Sequence, residues 1–182
     1  MIIIIEGIDR VGKTTLADAI KEKFNIPIFK QERVGGNDLS TQFMSDVNYG
    51  STLGQIRFWN WSGFNDHIIV DRFHWTEAVY SLIDRNNDKP MEHIPSIEAY
   101  MSQCKDKYLI VQVMPTDIEW SSTQHGADLS RHQAQFDMLY DKCNLNKCRC
   151  DRFSYDYVLN KIGHYLHPDV SQKLTRRKHG SQ

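Results

Sequence analysis

Four isoleucines in succession, Ile2 to Ile5, follow Met1. An apolar, β-branched run without alternation suits a central parallel strand covered on both faces. Polar and glycine positions from Glu6 to Gly12 break the run, and Leu16, Ala17, Ile20 and Phe24 then recur at helical spacing, predicting a helix over 14–24. A second strand is expected over 26–30, followed by a loop at 31–38 that contains Gly35 and Gly36. Two helices are expected next, at 39–47 and 52–64. A short strand over 67–70 ends in Asp71, and a helix follows at 76–83. Residues 86–95 read as a polar loop, 96–104 as a helix and 108–114 as an apolar strand closed by Pro115. After Ile118 the pattern weakens: 121–129 is polar and irregular, 131–142 helical, and 148–153 a fifth strand. Strands alternating with helices predict an α/β fold, a doubly wound parallel sheet of about five strands flanked by helices.

At 182 residues the chain corresponds to one domain spanning 1–182, with room for a small lid. Hydrophobic residues make up 40%, enough for a sizeable core. The 22 basic and 23 acidic residues nearly cancel, giving a net charge of -1, so no global field favours nucleic acid or an anionic membrane. The first apolar run is far shorter than a membrane span and no basic stretch precedes it. A cytoplasmic protein is expected, with Cys104, Cys143, Cys148 and Cys150 reduced. The basic segment Arg176, Arg177 and Lys178 falls in a tail, 175–182, expected to fray.

The sharpest signal is Gly7-Ile8-Asp9-Arg10-Val11-Gly12-Lys13-Thr14, which satisfies G-x-x-x-x-G-K-[ST] between a buried strand and a helix start. Its glycines let successive backbone N–H groups turn inward around a phosphate, and the helix N-terminus adds partial positive charge. Lys13 is expected to bridge the outer phosphates of ATP, and the Thr14 hydroxyl to ligate magnesium. Thr15 completes the loop's binding set. Asp71, closing an apolar strand, is the second expected magnesium ligand, with capping of the next helix as its structural alternative. The fold is therefore expected to be that of a P-loop NTPase. A guanine-reading N-K-x-D is missing, since Asn146-Lys147-Cys148-Arg149 has Arg in place of the carboxylate. That argues against a GTPase switch, and the size argues against a motor or helicase.

Glu6-Gly7-Ile8-Asp9-Arg10-Val11-Gly12-Lys13-Thr14-Thr15 resembles the phosphate loop of the thymidylate kinases, in the version with Arg inside the loop. Asp71-Arg72-Phe73-His74-Trp75-Thr76-Glu77-Ala78-Val79-Tyr80 resembles that family's D-R-Y-x-x-S-x-x-A-Y, with Phe for Tyr and Thr for Ser. The resemblance implies that Lys13 and Thr14 handle ATP and magnesium and that Arg10 contacts the transferring phosphoryl. It also implies that Asp9 reaches the acceptor sugar and Arg72 holds the acceptor phosphate. The implied activity is ATP-dependent phosphorylation of a deoxynucleoside monophosphate, dTMP or a related pyrimidine nucleotide. Two departures stand out. The family's T-R-E-P-G-G-T appears here as Lys30-Gln31-Glu32-Arg33-Val34-Gly35-Gly36, so Arg33 is the nearest candidate for its phosphate-binding Arg. The family's base-stacking aromatic lies well ahead of D-R-Y, whereas Arg57-Phe58-Trp59-Asn60-Trp61 lies close to Asp71.

Phe58, Trp59 and Trp61 are candidates to stack on the acceptor base, with core packing as the competing role. The lid candidate is 121–132, whose one Arg, Arg131, is either catalytic or a solvated surface group. Glu32 marks a second acceptor chemistry: a nucleoside hydroxyl wants a carboxylate base, whereas an ionised monophosphate oxygen needs none. A deoxynucleoside kinase using Glu32 is accordingly the competing activity, followed by a polynucleotide or base kinase and a non-enzymatic nucleotide-binding regulator. Cys143, Cys148 and Cys150 with His132 number four zinc-type donors, but their spacing matches no standard zinc motif, and ordinary thiols are the simpler reading. Nucleotides are the expected partners, and a homodimer is left open.

Overall fold

The isoleucine run becomes β1 (Ile2–Glu6), paired in parallel on one side with β3 (Ile68–Asp71) and on the other with β4 (Tyr108–Val113). Side chains of a strand point alternately to opposite faces, yet Ile2 to Ile5 are all at most 1% exposed, so both faces of the sheet are covered. In this computed structural model, which describes residues 1–30, 41–62, 66–116 and 129–166, the edges are β2 (Ile28–Phe29) and β5 (Lys147–Cys150). The strand order is β2-β3-β1-β4-β5, and every pairing is parallel. The register sets Ile5 opposite both Asp71 and Val111, and Glu6 opposite Gln112. The carboxyl ends of β1, β3 and β4 therefore open onto one edge. After β1 the chain leaves toward β2 and β3 and later crosses to β4, so strand order reverses beside β1, where doubly wound sheets bind ligands.

Helix α1 (Lys13–Phe24) buries Leu16, Ala17 and Ile20 and ends on Asn25 in the left-handed region, with Lys21 and Lys23 in its last turn complementing the helix dipole. The sequence predicts two helices at 39–47 and 52–64; α2 (Thr41–Trp61) is instead one helix of 21 residues. Gly50 and Gly54, which suggest an interruption, lie where a Cβ would meet nothing within 4 Å. Each costs the helix only about 1 kcal/mol relative to Ala. Buried Asn48, Thr52, Ile56, Trp59 and Asn60 keep one helical face turned inward from 48 to 60, across both glycines, and that continuous burial prevails. After α3 (His74–Asp84) the expected loop over 86–95 is largely α4 (Lys89–Ser102). Pro90 fits the first turn, where no N–H is needed, and Pro95 is accommodated while Ile94, Ile97 and Met101 are buried.

A 3-10 turn at Lys105–Lys107 leads into β4, and α5 (Ser130–Lys142) precedes β5. Helix α6 (Tyr155–Leu166), unassigned from the sequence, buries Val158, Leu159 and Ile162 at helical spacing. In β5 the burial alternates, with Cys148 and Cys150 inward and Lys147 and Arg149 more exposed. Burial pushes the Cys148 thiol up to about 11 and the Cys150 thiol up to about 12, so both remain protonated and act as small apolar side chains. No described helix is long and apolar enough to cross a membrane.

Candidate active site

The phosphate loop turns on backbone shapes that demand its glycines. Gly7 has φ 141° and a Cβ there would run into the Val113 carbonyl oxygen; Gly12 has φ 94° and a Cβ there would strike the Tyr155 hydroxyl. Between them Arg10 adopts φ 63° as a non-glycine residue, a conformation that costs of order 1–3 kcal/mol and is typical of ligand-binding loops. Ile8 is fully buried and Val11 nearly so, anchoring the loop, while Asp9 is half-buried and Arg10, Thr14 and Thr15 are exposed.

Lys13 begins α1 and is buried, its ammonium donating to the Ile8 carbonyl and lying 4.0 Å from an Asp9 carboxylate oxygen. Burial, reinforced by the Arg72 charge, lowers its pKa from the usual lysine value to about 8, and Asp9, Asp71 and Glu6 only partly offset this. The loop thus holds a buried cation whose neighbouring carboxylates only partly compensate its burial.

Across the edge, Asp71 and Arg72 leave β3. The Thr14 hydroxyl donates to Asp71 Oδ2 at 3.4 Å, while Asp71 Oδ1 is buried with no hydrogen-bond partner among the described residues. Arg72 turns through φ 68°, its N–H donating to the Ile5 carbonyl at 3.0 Å and its guanidinium reaching Asp9 at 2.7 Å. Lys13, Thr14, Asp9, Asp71 and Arg72 therefore lie together at this edge.

Three contributors escape the sequence reading. Glu6 is fully buried and accepts the N–H groups of Phe73 at 3.2 Å, Trp75 at 3.0 Å and Thr76 at 3.1 Å, together with the Thr76 hydroxyl. It satisfies the N-terminus of α3, whose own cap position is Phe73, a residue with no side-chain acceptor. An acidic residue closing an apolar strand and a helix lacking a cap are the two signals that point to it. Tyr155, at the start of α6, donates to the Gly12 carbonyl at 2.8 Å, and the Tyr80 hydroxyl accepts the Asp9 N–H at 2.9 Å. Burial and the Asp9 carboxylate push the Tyr80 phenol further above the usual tyrosine range.

The aromatic candidates on α2 are divided between core and surface. Trp59 is buried, edge-on to Phe29 at 6.3 Å and tilted against Phe73 at 5.7 Å. Phe58 borders a cavity of about 500 Å³ with Phe29, Trp59 and Ile68, the first residue of β3. Trp61 is exposed and meets Tyr100 edge-on at 6.3 Å.

Arg149 occupies the place of the missing GTPase carboxylate. It donates to Gln112 Oε1 and to Asp137 Oδ1, each at 3.0 Å, and lies over the Tyr140 ring at 4.0 Å, tying β5 to β4 and α5. Arg131 is exposed in the first turn of α5. Glu32, Arg33, the lid segment 121–128 and the tail 175–182 lie outside the described residues. Among those described, no three His, Cys, Asp or Glu side chains gather as a metal site, and His132 is engaged by Asp84.

No family model matches the chain, and no curated protein matches its sequence. Solved structures do match it. The YorR protein from Bacillus subtilis, crystallised in complex with phosphorylated GDP, is 17% identical over 92% of this chain and 96% of its own, with a TM-score of 0.63. Deoxyadenosine kinase from M. mycoides with bound dATP is 15% identical over 90% and 100%, at 0.56. Thymidylate kinase from Candida albicans is 18% identical over 92% and 91%, at 0.52. The likeness is one of architecture: the chain has the fold of the thymidylate-kinase-like P-loop nucleotide kinases.

Proposed function

We propose that the chain transfers the terminal phosphoryl group of ATP to a deoxynucleoside monophosphate, dTMP or a related pyrimidine nucleotide, forming the diphosphate. The observation that carries this reading is the Arg72–Asp9 pair at 2.7 Å, which holds a guanidinium over the phosphate loop beside Lys13 and Thr14. Arg72 has donors for a second anion in addition to Asp9, and a monophosphate dianion seated there lies next to the donor phosphates.

The residues present suit magnesium. Thr14 and Asp71 offer hard oxygen donors, and the orphaned Asp71 Oδ1 is a buried acceptor that a cation satisfies. When bound, magnesium would neutralise phosphate charge between donor and acceptor. The loop's backbone N–H groups and the α1 N-terminus cradle the donor phosphates, and Lys13 adds a cation without reaching from solvent. Arg10, exposed on the loop, supplies charge for the equatorial oxygens as they separate from the leaving group. Little covalent work is left to the protein, so catalysis is mostly positioning and charge. Phe58 and Trp59 have no part in this proposal.

The competing reading is a deoxynucleoside kinase with Glu32 as base, which the likeness to deoxyadenosine kinase keeps in view. A panel of nucleosides and monophosphates scored for ADP release separates the two. With a monophosphate acceptor, Arg72→Ala is expected to lose a charge-assisted bond of about 1.5–3 kcal/mol, roughly one to two decades in kcat/KM, while Glu32→Gln changes little. If nucleosides outperform monophosphates and Glu32→Gln costs on the order of 10² to 10⁴ in rate, the hydroxyl is the acceptor and the proposal fails.

A further inference from the structure

His132 stands in the first turn of α5 and is 3% exposed. Its Nε2 lies 2.8 Å from the carboxylate of Asp84, the last residue of α3, and its ring rests against that of Tyr80, with centroids 4.8 Å apart and planes at 46°. Nδ1 is buried with no hydrogen-bond partner among the described residues. A proton on Nδ1 would be a buried donor without an acceptor, so the arrangement suits the tautomer that donates from Nε2 to Asp84. The ring's placement then depends on that one bond and on the Tyr80 face.

Tyr80 in turn is joined to the phosphate loop, since its hydroxyl accepts the Asp9 N–H, and the Asp9 carboxylate meets Arg72. A continuous strut thus runs from Asp84 through His132 and Tyr80 to Asp9. Only the Asp9 end touches the site, and the opposite end, Asp84, is the last residue of α3. Asp84 is half exposed, so the strut can be cut at its outer end without opening the core.

We propose that His132 is a positioning residue for the acceptor: fixed by Asp84, it sets the plane of Tyr80 and thereby holds Asp9 against Arg72. The proposal deepens the monophosphate-kinase reading and rests on it for the role of Asp9 and Arg72, but the strut itself is testable in the ligand-free protein. In Asp84→Ala, His132→Asn and Tyr80→Phe, hydrogen exchange of the Asp9 backbone amide should accelerate by about three- to tenfold, as befits one lost hydrogen bond. The Leu16 amide, bonded to the Gly12 carbonyl at 3.0 Å, serves as the internal control and should not change.

In steady-state assays the same variants should raise KM for the acceptor by about tenfold while KM for ATP stays within about twofold, as expected when one side of the site is displaced. Asp84→Asn, which keeps an oxygen acceptor for Nε2–H, should restore wild-type behaviour. The double variant Asp84→Ala/Tyr80→Phe should be no worse than Tyr80→Phe alone. An unchanged Asp9 amide, a parallel rise in both KM values, or additive effects in the double variant would each overturn the strut. If the wild-type protein phosphorylates no nucleotide at all, the functional reading falls, and the amide exchange still decides whether His132 holds Asp9.

Discussion

Lys13 occupies an environment that works against its own charge, and this gives nucleotide binding a pH signature. Its pKa is lowered to about 8 in the free protein, first by burial and then by Arg72. A polyphosphate favours the charged form and raises the value on binding, so the sign follows from linkage. Below pH 8 the ammonium is charged in both states and affinity is flat. Above it, binding must recruit a proton, and affinity falls by up to about tenfold per pH unit until the bound ammonium itself titrates. Calorimetric titrations of Mg–ATP between pH 7 and 9.5 should show that slope together with proton uptake, and Lys13→Arg, always charged, should abolish the slope whatever its absolute affinity. Lys13→Ala should lower phosphoryl transfer by orders of magnitude with the fold preserved. Arg10→Ala should reduce kcat more than it raises KM for ATP, because its charge is needed where phosphate charge moves. That Lys13, Thr14 and Asp71 lie together was legible because a short strand-turn-helix pattern fixes their positions, and Arg72 was reached through the resemblance of the segment that begins at Asp71. Glu6, Tyr80, Tyr155 and His132 were not legible, because each acts on a backbone atom or side chain far away in sequence, and only Glu6, closing an apolar strand, leaves a local trace.

Secondary structure followed the same division. The strand β1 and the helix α1 read correctly because local pattern and tertiary environment agree: a β-branched run is buried on both faces, and Leu16, Ala17 and Ile20 face the sheet. Where they disagree, the environment prevails. Gly50 and Gly54 suggest a break that continuous burial along α2 overrides, and Pro90 and Pro95 suggest a loop that the apolar face of α4 turns into helix. The start of α3 is set from outside as well, because a buried carboxylate on β1 takes the place of a cap residue. Glu6→Gln tests this. The amide keeps the shape of the side chain but replaces one accepting oxygen with a donor facing backbone N–H groups, leaving at least one of them unsatisfied. Such a change should cost about 1–3 kcal/mol, seen as a lower urea midpoint at unchanged slope. Because Asp71 and Arg72 directly precede α3, activity measured well below the unfolding midpoint should fall too. Full activity in a folded Glu6→Gln protein would show that the α3 cap does not govern the catalytic turn.

For the molecule as a whole, the parallel order β2-β3-β1-β4-β5 gathers onto one edge a loop, a metal-type carboxylate and an arginine that the chain supplies from separate segments. Tyr155 closes the same assembly from the far end of the described chain by holding Gly12, so the phosphate loop is braced by α6 as well as by its neighbours β1 and α1. A site assembled from this many elements ties ligand binding to global stability. A ligand that binds only the folded chain stabilises it by RT ln(1 + [L]/Kd), about 2.7 kcal/mol at a hundred times Kd. For a chain of this length each kcal/mol moves Tm by roughly 2–4 °C, so saturating Mg–ATP should raise Tm by about 5–10 °C. The increment should have two separable parts. Lys13→Ala removes the buried cation and should lose most of the shift at the same ATP concentration. Asp71→Asn keeps the loop and its lysine but weakens the metal ligand, so its shift with ATP alone should match the wild type while the extra increment from magnesium disappears. A Lys13→Ala protein that gains as much as the wild type would place nucleotide binding outside the phosphate loop. An undiminished magnesium increment in Asp71→Asn would remove Asp71 from the metal site.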